Sequence, residues 1–227
     1  MLKNLLLLLF SFLAIPLFSQ VNKGDIILSL DGNYMKSNTG GGVTTNTTGT
    51  QAQNLDISLS GGYFLSQRVV VGVGLDYKFD KEVRSNLINF DNFVQMEIMD
   101  YHSHAWLPNV YVGLYFPIVS KLYVTANFRM SYGKINAGYT TTYAGGGKFV
   151  VISPATNYTY TSTGDARVDY FSNTIYPELL YFVGAKTSIS LGLGGIQYAV
   201  TDWDANNAEV AVNFNPVYWK FGVKLKL

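Results

Sequence analysis

Three copies of one short hairpin pattern constrain the fold of this chain more than any other feature. In each copy an aromatic pair precedes a few turn residues and a basic residue, and a long polar segment separates one copy from the next. The pairs are Tyr63-Phe64, Tyr115-Phe116 and Tyr181-Phe182, and the basic residues are Arg68, Lys121 and Lys186. Short turns at one edge and long connections at the other are typical of a β-barrel that spans an outer membrane.

The segments between the turns alternate in character with a period of two. In 54–65 the apolar side chains Leu55, Ile57 and Leu59 fall on one face, and Asp56, Ser58 and Ser60 fall on the other. This period over about ten residues is the pattern of a transmembrane strand. The same rhythm predicts eight strands, near 24–36, 54–65, 69–79, 105–117, 121–136, 169–183, 187–199 and 210–227. Pro177 makes the sixth strand the weakest of these predictions.

The two faces of the predicted strands differ in size as well as polarity. One face is small and polar, as at Gly72, Gly74, Ser188 and Ser190, and the other is bulky and apolar. A soluble β-sandwich or a lipocalin-type barrel would also alternate, but would bury its bulky face inside. We therefore predict an all-β fold, a transmembrane antiparallel up-and-down β-barrel of eight strands. Its periplasmic turns are short, and long extracellular loops cover 37–53, 81–103, 140–167 and 200–209.

Residues 1–20 have the features of a secretory signal peptide, so we expect the barrel domain to cover 21–227. Lys3 is followed by the apolar run Leu5–Leu13 and by small residues before position 20, and this run is too short to span a bilayer. Without residues 1–20, which include Lys3, the chain has 15 basic and 15 acidic residues, so no excess of positive charge favours binding to nucleic acid. There is no cysteine for a lipid anchor, a disulfide or a thiolate metal site.

Five charged residues fall on predicted inward positions: Asp31, Asp76, Lys78, Arg129 and Glu178. The interior of an eight-stranded barrel is narrow, and a charge stranded there without a partner costs several kcal/mol. The sequence therefore predicts an internal network of ion pairs that plugs the barrel. The alternative is a gated polar path for small solutes or ions.

Aromatic residues near the predicted short-turn edge suggest a girdle at the membrane interface, where rings lie among lipid headgroups. These residues are Tyr63, Tyr115, Phe116, Tyr181, Trp219 and Phe221, while Trp106 and Trp203 fall near the opposite edge. A stacking platform for sugars is the alternative interpretation.

Asp100, His102 and His104 are the main candidates for site chemistry. Two histidines in an H-x-H pattern point to one side of a strand and can suit a divalent metal, but no fuller ligand set accompanies them. His102 and Ser103 are adjacent and would face opposite sides of a strand, which is the wrong geometry for a catalytic dyad. We predict no catalytic residue, no metal and no cofactor. A lipid-modifying outer-membrane enzyme remains the third functional alternative.

The last eight residues, 220–227, carry a recognisable pattern. A polar residue, a glycine and two apolar residues stand at Lys220, Gly222, Leu225 and Leu227. This resembles the terminal recognition strand of bacterial outer-membrane proteins, with Leu in place of the usual final aromatic residue. The resemblance implies handling by the barrel-assembly machinery during biogenesis.

The chain as a whole resembles the small eight-stranded outer-membrane β-barrel families of the OmpA transmembrane domain, OmpX and OmpW type. The signal ending Phe18-Ser19-Gln20, with many Asn and Tyr residues, resembles porin-family members of Bacteroidetes. The resemblance implies a bacterial outer-membrane location, in contact with outer-membrane lipid and lipopolysaccharide. It shares no motif that is specific to one function.

The sequence favours a structural or partner-binding role through the extracellular loops, with a protein as the possible partner and no nucleic acid. The alternative is porin-like transport of small or hydrophobic solutes, through the barrel or sideways into the bilayer. A plug of paired charges inside the barrel favours the first role, and a cavity that runs from the loop side to the turn side favours the second.

Overall fold

The computed structural model describes residues 21–40, 49–90, 93–147, 158–201 and 207–227, so the predicted signal peptide and Trp203 lie outside the described residues. The described chain is almost entirely β-strand. The strands are β1 (Ile26–Gly40), β2 (Gly49–Phe64), β3 (Val69–Phe90), β4 (Phe93–Val119), β5 (Leu122–Gly147), β6 (Tyr158–Phe182), β7 (Thr187–Gly192), β8 (Gly195–Thr201), β9 (Asn207–Asn213) and β10 (Lys220–Lys226). No helix in this part of the chain is long and apolar enough to cross a membrane.

All pairings are antiparallel, and eight strands form a ring in the order β5-β4-β3-β2-β1-β10-β7-β6. The ring is completed by a long ladder between β5 and β6, from Leu122↔Tyr181 to Gly145↔Tyr158. The hairpin of β8 and β9 adds to β6 on the loop side of β7. The all-β antiparallel barrel predicted from the sequence is therefore the observed fold.

Both ends of the described chain lie at the short-turn end of the ring. The backbone N–H of Gly24 donates to the Phe64 carbonyl (2.9 Å), and the N–H of Leu227 donates to the Ile26 carbonyl (2.9 Å). In the first turn the Ser66 hydroxyl oxygen accepts from the backbone N–H groups of Arg68 and Val69, both at 3.2 Å. The Ser66 hydroxyl thus accepts hydrogen bonds from two backbone N–H groups that the tight turn would otherwise leave without a partner.

The outside of the ring is apolar and the inside is polar. Exposed outward side chains include Leu30, Val73 and Val110, each more than half exposed, whereas inward Ser58 and Thr125 are almost fully buried. A broad apolar exterior is unfavourable in water and favourable in lipid. The soluble sandwich and lipocalin alternatives require the reverse arrangement.

A cluster of apolar side chains fills the barrel at the short-turn end. The ring of Tyr115 packs edge-on against Phe64 (centroids 5.0 Å apart), and the ring of Tyr123 packs against Phe182 (5.6 Å). Val21 is also buried in this cluster. Bulky rings therefore occupy the space where the polar interior ends.

The long connections are shorter than predicted, because the strands continue beyond the barrel wall. In the predicted loop 81–103, β3 runs to Phe90 and β4 begins at Phe93; in 140–167, β5 runs to Gly147 and β6 begins at Tyr158. The 37–53 prediction is wrong in the same way, since the ladder of β1 and β2 extends to Gly40↔Gly49. Thr and Tyr, which are common here, suit strands, and ladder hydrogen bonds continue without an apolar core.

The predicted seventh and eighth strands are each interrupted. The seventh breaks at Leu193-Gly194, opposite Pro177, whose carbonyl accepts the N–H of Leu193 (3.1 Å). Gly194 has φ +80°, and a Cβ there would collide with the carbonyl of Asn213. The eighth breaks between Asn213 and Lys220, where the chain forms the 3-10 turn Pro216–Tyr218. These paired interruptions separate the β8–β9 hairpin from the ring below it.

Candidate functional site

A buried ion pair joins β3 to β5 inside the barrel. The Nη1 group of Arg129 lies 2.8 Å from Oδ1 of Asp76 and also donates to the Ser58 hydroxyl (2.8 Å). The guanidinium carbon lies 5.6 Å from the centroid of the Tyr176 ring. Arg129 is therefore held by a carboxylate, a hydroxyl and an aromatic face at once.

A second buried pair joins β6 to β10. Nζ of Lys224 lies 2.6 Å from Oε2 of Glu178, and both side chains are less than a tenth exposed. The same carboxylate accepts from the Thr125 hydroxyl (3.1 Å) and the Asn127 amide (3.3 Å). The sequence prediction did not include Lys224, although its alternation with the outward residues Val223 and Leu225 placed it on the inward face.

Asp31 and Lys78 also face the interior, without a salt bridge among the described residues. Oδ1 of Asp31 accepts from the Ser190 hydroxyl (3.0 Å), and Gly222 gives this carboxylate room, since a Cβ there would collide with it. Nζ of Lys78 lies 5.5 Å from the centroid of the Tyr170 ring. The five predicted charges are thus all inside the barrel, but they form separate clusters rather than one network.

A cavity of about 290 Å³, here called the lumenal cavity, lies on the loop side of these clusters. Among the described residues that line it are five carboxylates and three cations. It extends toward the turn end as far as Asp31 and Glu178, and the aromatic cluster lies beyond that level. One further pair, Nζ of Lys220 to Oδ2 of Asp56 (3.1 Å), lies in its wall and is about one third exposed.

The barrel wall has a lateral gap between β1 and β9. The ladder of β1 with β10 ends at Gly32↔Phe221, and among the described strands 33–40 of β1 pairs only with β2 and β9 pairs only with β8. The Asn33 amide bridges the lower end of the gap by donating to the carbonyls of Val217 (2.8 Å) and Trp219 (2.6 Å).

At the lateral gap the lumenal cavity lies next to a groove on the outer surface. Four residues line both spaces: Asn33, Met35, Asp56 and Val217. Only side chains of this part of the wall therefore lie between the lumenal cavity and the outer surface. No local sequence pattern predicts the gap, because its position depends on where two neighbouring strands are interrupted.

Above the ring, β3–β6 form a protruding sheet that has an open edge. On β6, 158–169 pairs with β5 and with no other described strand, since the ladder to β8 starts at Tyr170↔Thr201. The stacked rings of Tyr143 and Tyr160 (centroids 6.3 Å apart) support this edge from β5. The Tyr139 ring lies over the edge residue Gly164.

The aromatic residues predicted as a girdle divide between several places. Tyr63 and Phe116 are nearly half exposed at the turn end, and Tyr181 is half-buried there. The prediction for Tyr115 is wrong, since its ring is 2% exposed inside the barrel. Adjacent strand residues face opposite sides, so each aromatic pair sends only one ring outward.

Trp219 and Phe221 are also misplaced by the sequence prediction. Phe221 pairs with Gly32, several residues above the turn end, and Trp219 borders the lateral gap.

Of the proposed assembly signal, Lys220 and Gly222 face the interior, whereas Leu225 and Leu227 are exposed on the outside. This strand, β10, pairs with both β1 and β7.

The histidine candidates lie on the protruding part of β4. His102 and His104 are exposed on one face, and Ser103 is buried on the other. The carboxylate of Asp100 pairs with Nζ of Lys81 at 3.2 Å. Within the described ranges no group of three or more His, Cys, Asp or Glu side chains could hold a metal ion.

A ring of antiparallel strands with an apolar exterior and a charged interior defines a small β-barrel of the outer-membrane type. No family model and no curated protein matches the chain. Among solved structures it is similar to the attachment invasion locus protein Ail of Yersinia pestis (11% identity, 90% of this chain and 99% of that chain, TM-score 0.33). It is also similar to the outer membrane protein OprG of Pseudomonas aeruginosa (8% identity, 92% and 99%, TM-score 0.25) and the outer membrane protease OmpT of Escherichia coli (10% identity, 92% and 97%, TM-score 0.26). With TM-scores this low, the class rests on the geometry of this chain itself.

Proposed function

We propose that this protein resides in the bacterial outer membrane and binds an extended segment of a protein partner at the open edge of β6. The observation that carries the proposal is the unpaired edge 158–169, which projects beyond the barrel on the loop side. An exposed edge presents a row of free backbone donors and acceptors, and an added strand gains main-chain hydrogen bonds there.

The composition of the edge favours its upper part as the binding segment. Residues 159–163 are Thr-Tyr-Thr-Ser-Thr, without charge or proline, whereas Asp165 and Arg167 follow below. Charges and prolines are the usual means by which proteins block strand addition, so the upper segment is the unprotected one. The stacked Tyr143–Tyr160 pair holds it in an extended form before a partner arrives.

The side chains packed inside the barrel are evidence against transport of solutes through it. Between the lumenal cavity and the turn end stand the buried Glu178–Lys224 pair and the rings of Tyr115 and Phe182. A conducting path would require these groups to separate, leaving charges without partners. Stable conductance steps of the refolded protein in a planar bilayer would favour transport instead.

The proposal includes no catalytic step. His102 and Ser103 lie on opposite faces of β4, so within this strand the imidazole is not placed to activate the hydroxyl. The working part of the molecule is then the backbone of the protruding sheet.

The proposal is tested with a surrogate strand. A synthetic peptide with the sequence of 138–144, which pairs with β6 from the other side, is added to the folded protein in detergent micelles. Backbone amide exchange of 159–163 is then measured. We expect saturable binding that slows exchange in this segment, because a strand on the open edge takes up its free N–H groups.

A pair of lysine variants supplies the matched control. Thr163 on the edge pairs directly with Thr140 on β5, which has neighbours on both sides. Thr163→Lys should weaken peptide binding, whereas Thr140→Lys adds the same charge nearby and should not. Unchanged exchange in 159–163 at saturating peptide, or equal weakening by both variants, would rule out strand addition at this edge.

A further inference from the structure

We propose that the lateral gap is a membrane-facing entrance to the lumenal cavity, and that it binds the primary ammonium head of a membrane-borne amphiphile. The head lies against Asp80 and Asn54 inside the barrel, and the apolar chain stays in the lipid outside. This goes beyond partner binding at the β6 edge and does not depend on it.

The position of the gap indicates that it opens to lipid. On β1 the outward residues Leu30 and Tyr34 are more than half exposed, and on β9 the outward residues Val210 and Val212 are more than 60% exposed. The gap is therefore flanked mainly by apolar surface, with one exposed cation, Lys36, at the outer groove on β1. Unpaired backbone at membrane depth is tolerated only where it lines a polar cavity, because lipid offers it no hydrogen bonds.

The polar groups nearest to the gap favour a hydrogen-bond donor with positive charge. Met35, Asn54 and Asp80 are register neighbours on β1, β2 and β3, and all three line the lumenal cavity. Adjacent strands are about 4.8 Å apart, so Asn54 and Asp80 lie roughly 5 and 10 Å in from the free edge of β1. An ammonium head that enters beside Met35 reaches them at once.

These two side chains have unused capacity to accept hydrogen bonds. The Asn54 amide donates to Oδ1 of Asp80, which leaves the carbonyl oxygen of Asn54 buried and without a partner in the described structure. No cation of the described residues forms a salt bridge with Asp80, in contrast to Asp56 and Asp76. Lys78 interacts with Asp80 without forming a salt bridge, so direct contacts remain open. A primary ammonium group donates three hydrogen bonds and carries a charge opposite to that of Asp80, so it satisfies both acceptors.

Amphiphiles of opposite charge test the proposal, with Trp219 as the reporter because its side chain lines the outer groove of the gap. The protein carries Trp106→Phe and Trp203→Phe, so that Trp219 is its one indole, and it is studied folded in dodecyl maltoside micelles. The probes are bromoundecylammonium and bromoundecyl sulfate, whose bromine quenches indole fluorescence on contact. We expect saturable quenching by the ammonium probe, and at least tenfold weaker quenching by the sulfate.

Two pairs of variants separate the site from its surroundings. Asp80→Asn keeps the acceptor for Asn54 but removes the charge, and should weaken the ammonium probe about tenfold; Asp165→Asn, on the exposed protruding sheet, should have no effect. Val217→Phe narrows the gap without adding an indole and should abolish saturable quenching, whereas Val223→Phe, outward on the fully paired β10, should not.

Vesicles identify the source of the amine. Quenching by brominated phosphatidylethanolamine but not by brominated phosphatidylcholine would make a membrane lipid the ligand, and quenching by the single-chain ammonium alone would make it a free amphiphile. Either result supports the proposal. Equal quenching by the ammonium and sulfate probes, or quenching that neither Asp80→Asn nor Val217→Phe changes, would overturn the proposal.

Discussion

The buried pair of Glu178 and Lys224 gives the sharpest prediction about stability. In Lys224→Met the carboxylate of Glu178 keeps the Thr125 and Asn127 donors but loses the ammonium group 2.6 Å away. Both charged side chains are less than a tenth exposed, so water does not replace the lost partner. Removing one partner of a buried pair costs about 3–5 kcal/mol. We expect the free energy of unfolding to fall by that amount.

The assay is urea-induced unfolding of the refolded protein in phospholipid vesicles, followed by the heat-dependent gel shift of a folded barrel. Lys220→Met is the matched control, because its pair with Asp56 is about one third exposed and should contribute only about 1 kcal/mol. In the double variant Lys224→Met/Glu178→Gln no buried charge is left, and most of the lost stability should return. Equal losses for Lys224→Met and Lys220→Met would refute the argument from burial.

Two further predictions concern the loop side of the molecule. Gly194→Ala should destabilise the β8–β9 hairpin by about 1–2 kcal/mol or more, because φ at Gly194 is +80° and the added Cβ would collide with the Asn213 carbonyl. Gly184→Ala is the control, since the space around a Cβ at Gly184 is open. Equal urea midpoints for the two variants would contradict this reasoning. On the protruding sheet, the hydrogen bond to the Glu97 carboxylate raises the pKa of Tyr143 above its usual value, since the neutral phenol is the donor. In Glu97→Gln this pKa should fall toward the ordinary value in an ultraviolet titration, and an unchanged titration would show that the contact does not form in solution.

Residue alternation is the part of the fold that local sequence determines well. In 54–65 and 69–79 the inward and outward sets follow directly from the period of two, and the structure shows these faces. The inward positions of Arg129 and Glu178 come from the same pattern. The physical cause is that each strand residue of a membrane barrel faces either the lipid outside or the polar interior, and its side chain must suit that environment.

Sequence reasoning failed where the outcome depended on a neighbouring strand. The polar segments 81–103 and 140–167 look like loops on their own, but they extend because each side of a hairpin supplies hydrogen bonds to the other. The aromatic pair Tyr115-Phe116 predicts two rings at the lipid interface, but only one ring of such a pair can face outward.

The class of this protein can be predicted from local sequence, because its strand period, its short aromatic turns and its polar interior depend on residues that are close in the chain. Which inward charges meet depends on the fold as a whole, since Lys224 and Glu178 are 46 positions apart in the sequence and Arg129 and Asp76 are 53 apart. The tertiary structure also decided that two separate interruptions, at Gly194 and at Pro216–Tyr218, leave a gap beside β1. The open edge on β6 has another origin, since β8 ends at Thr201 and pairs with β6 only from Tyr170 downward. Each strand has several possible neighbours to pair with, and only the folded sheet shows which backbone groups remain without a partner.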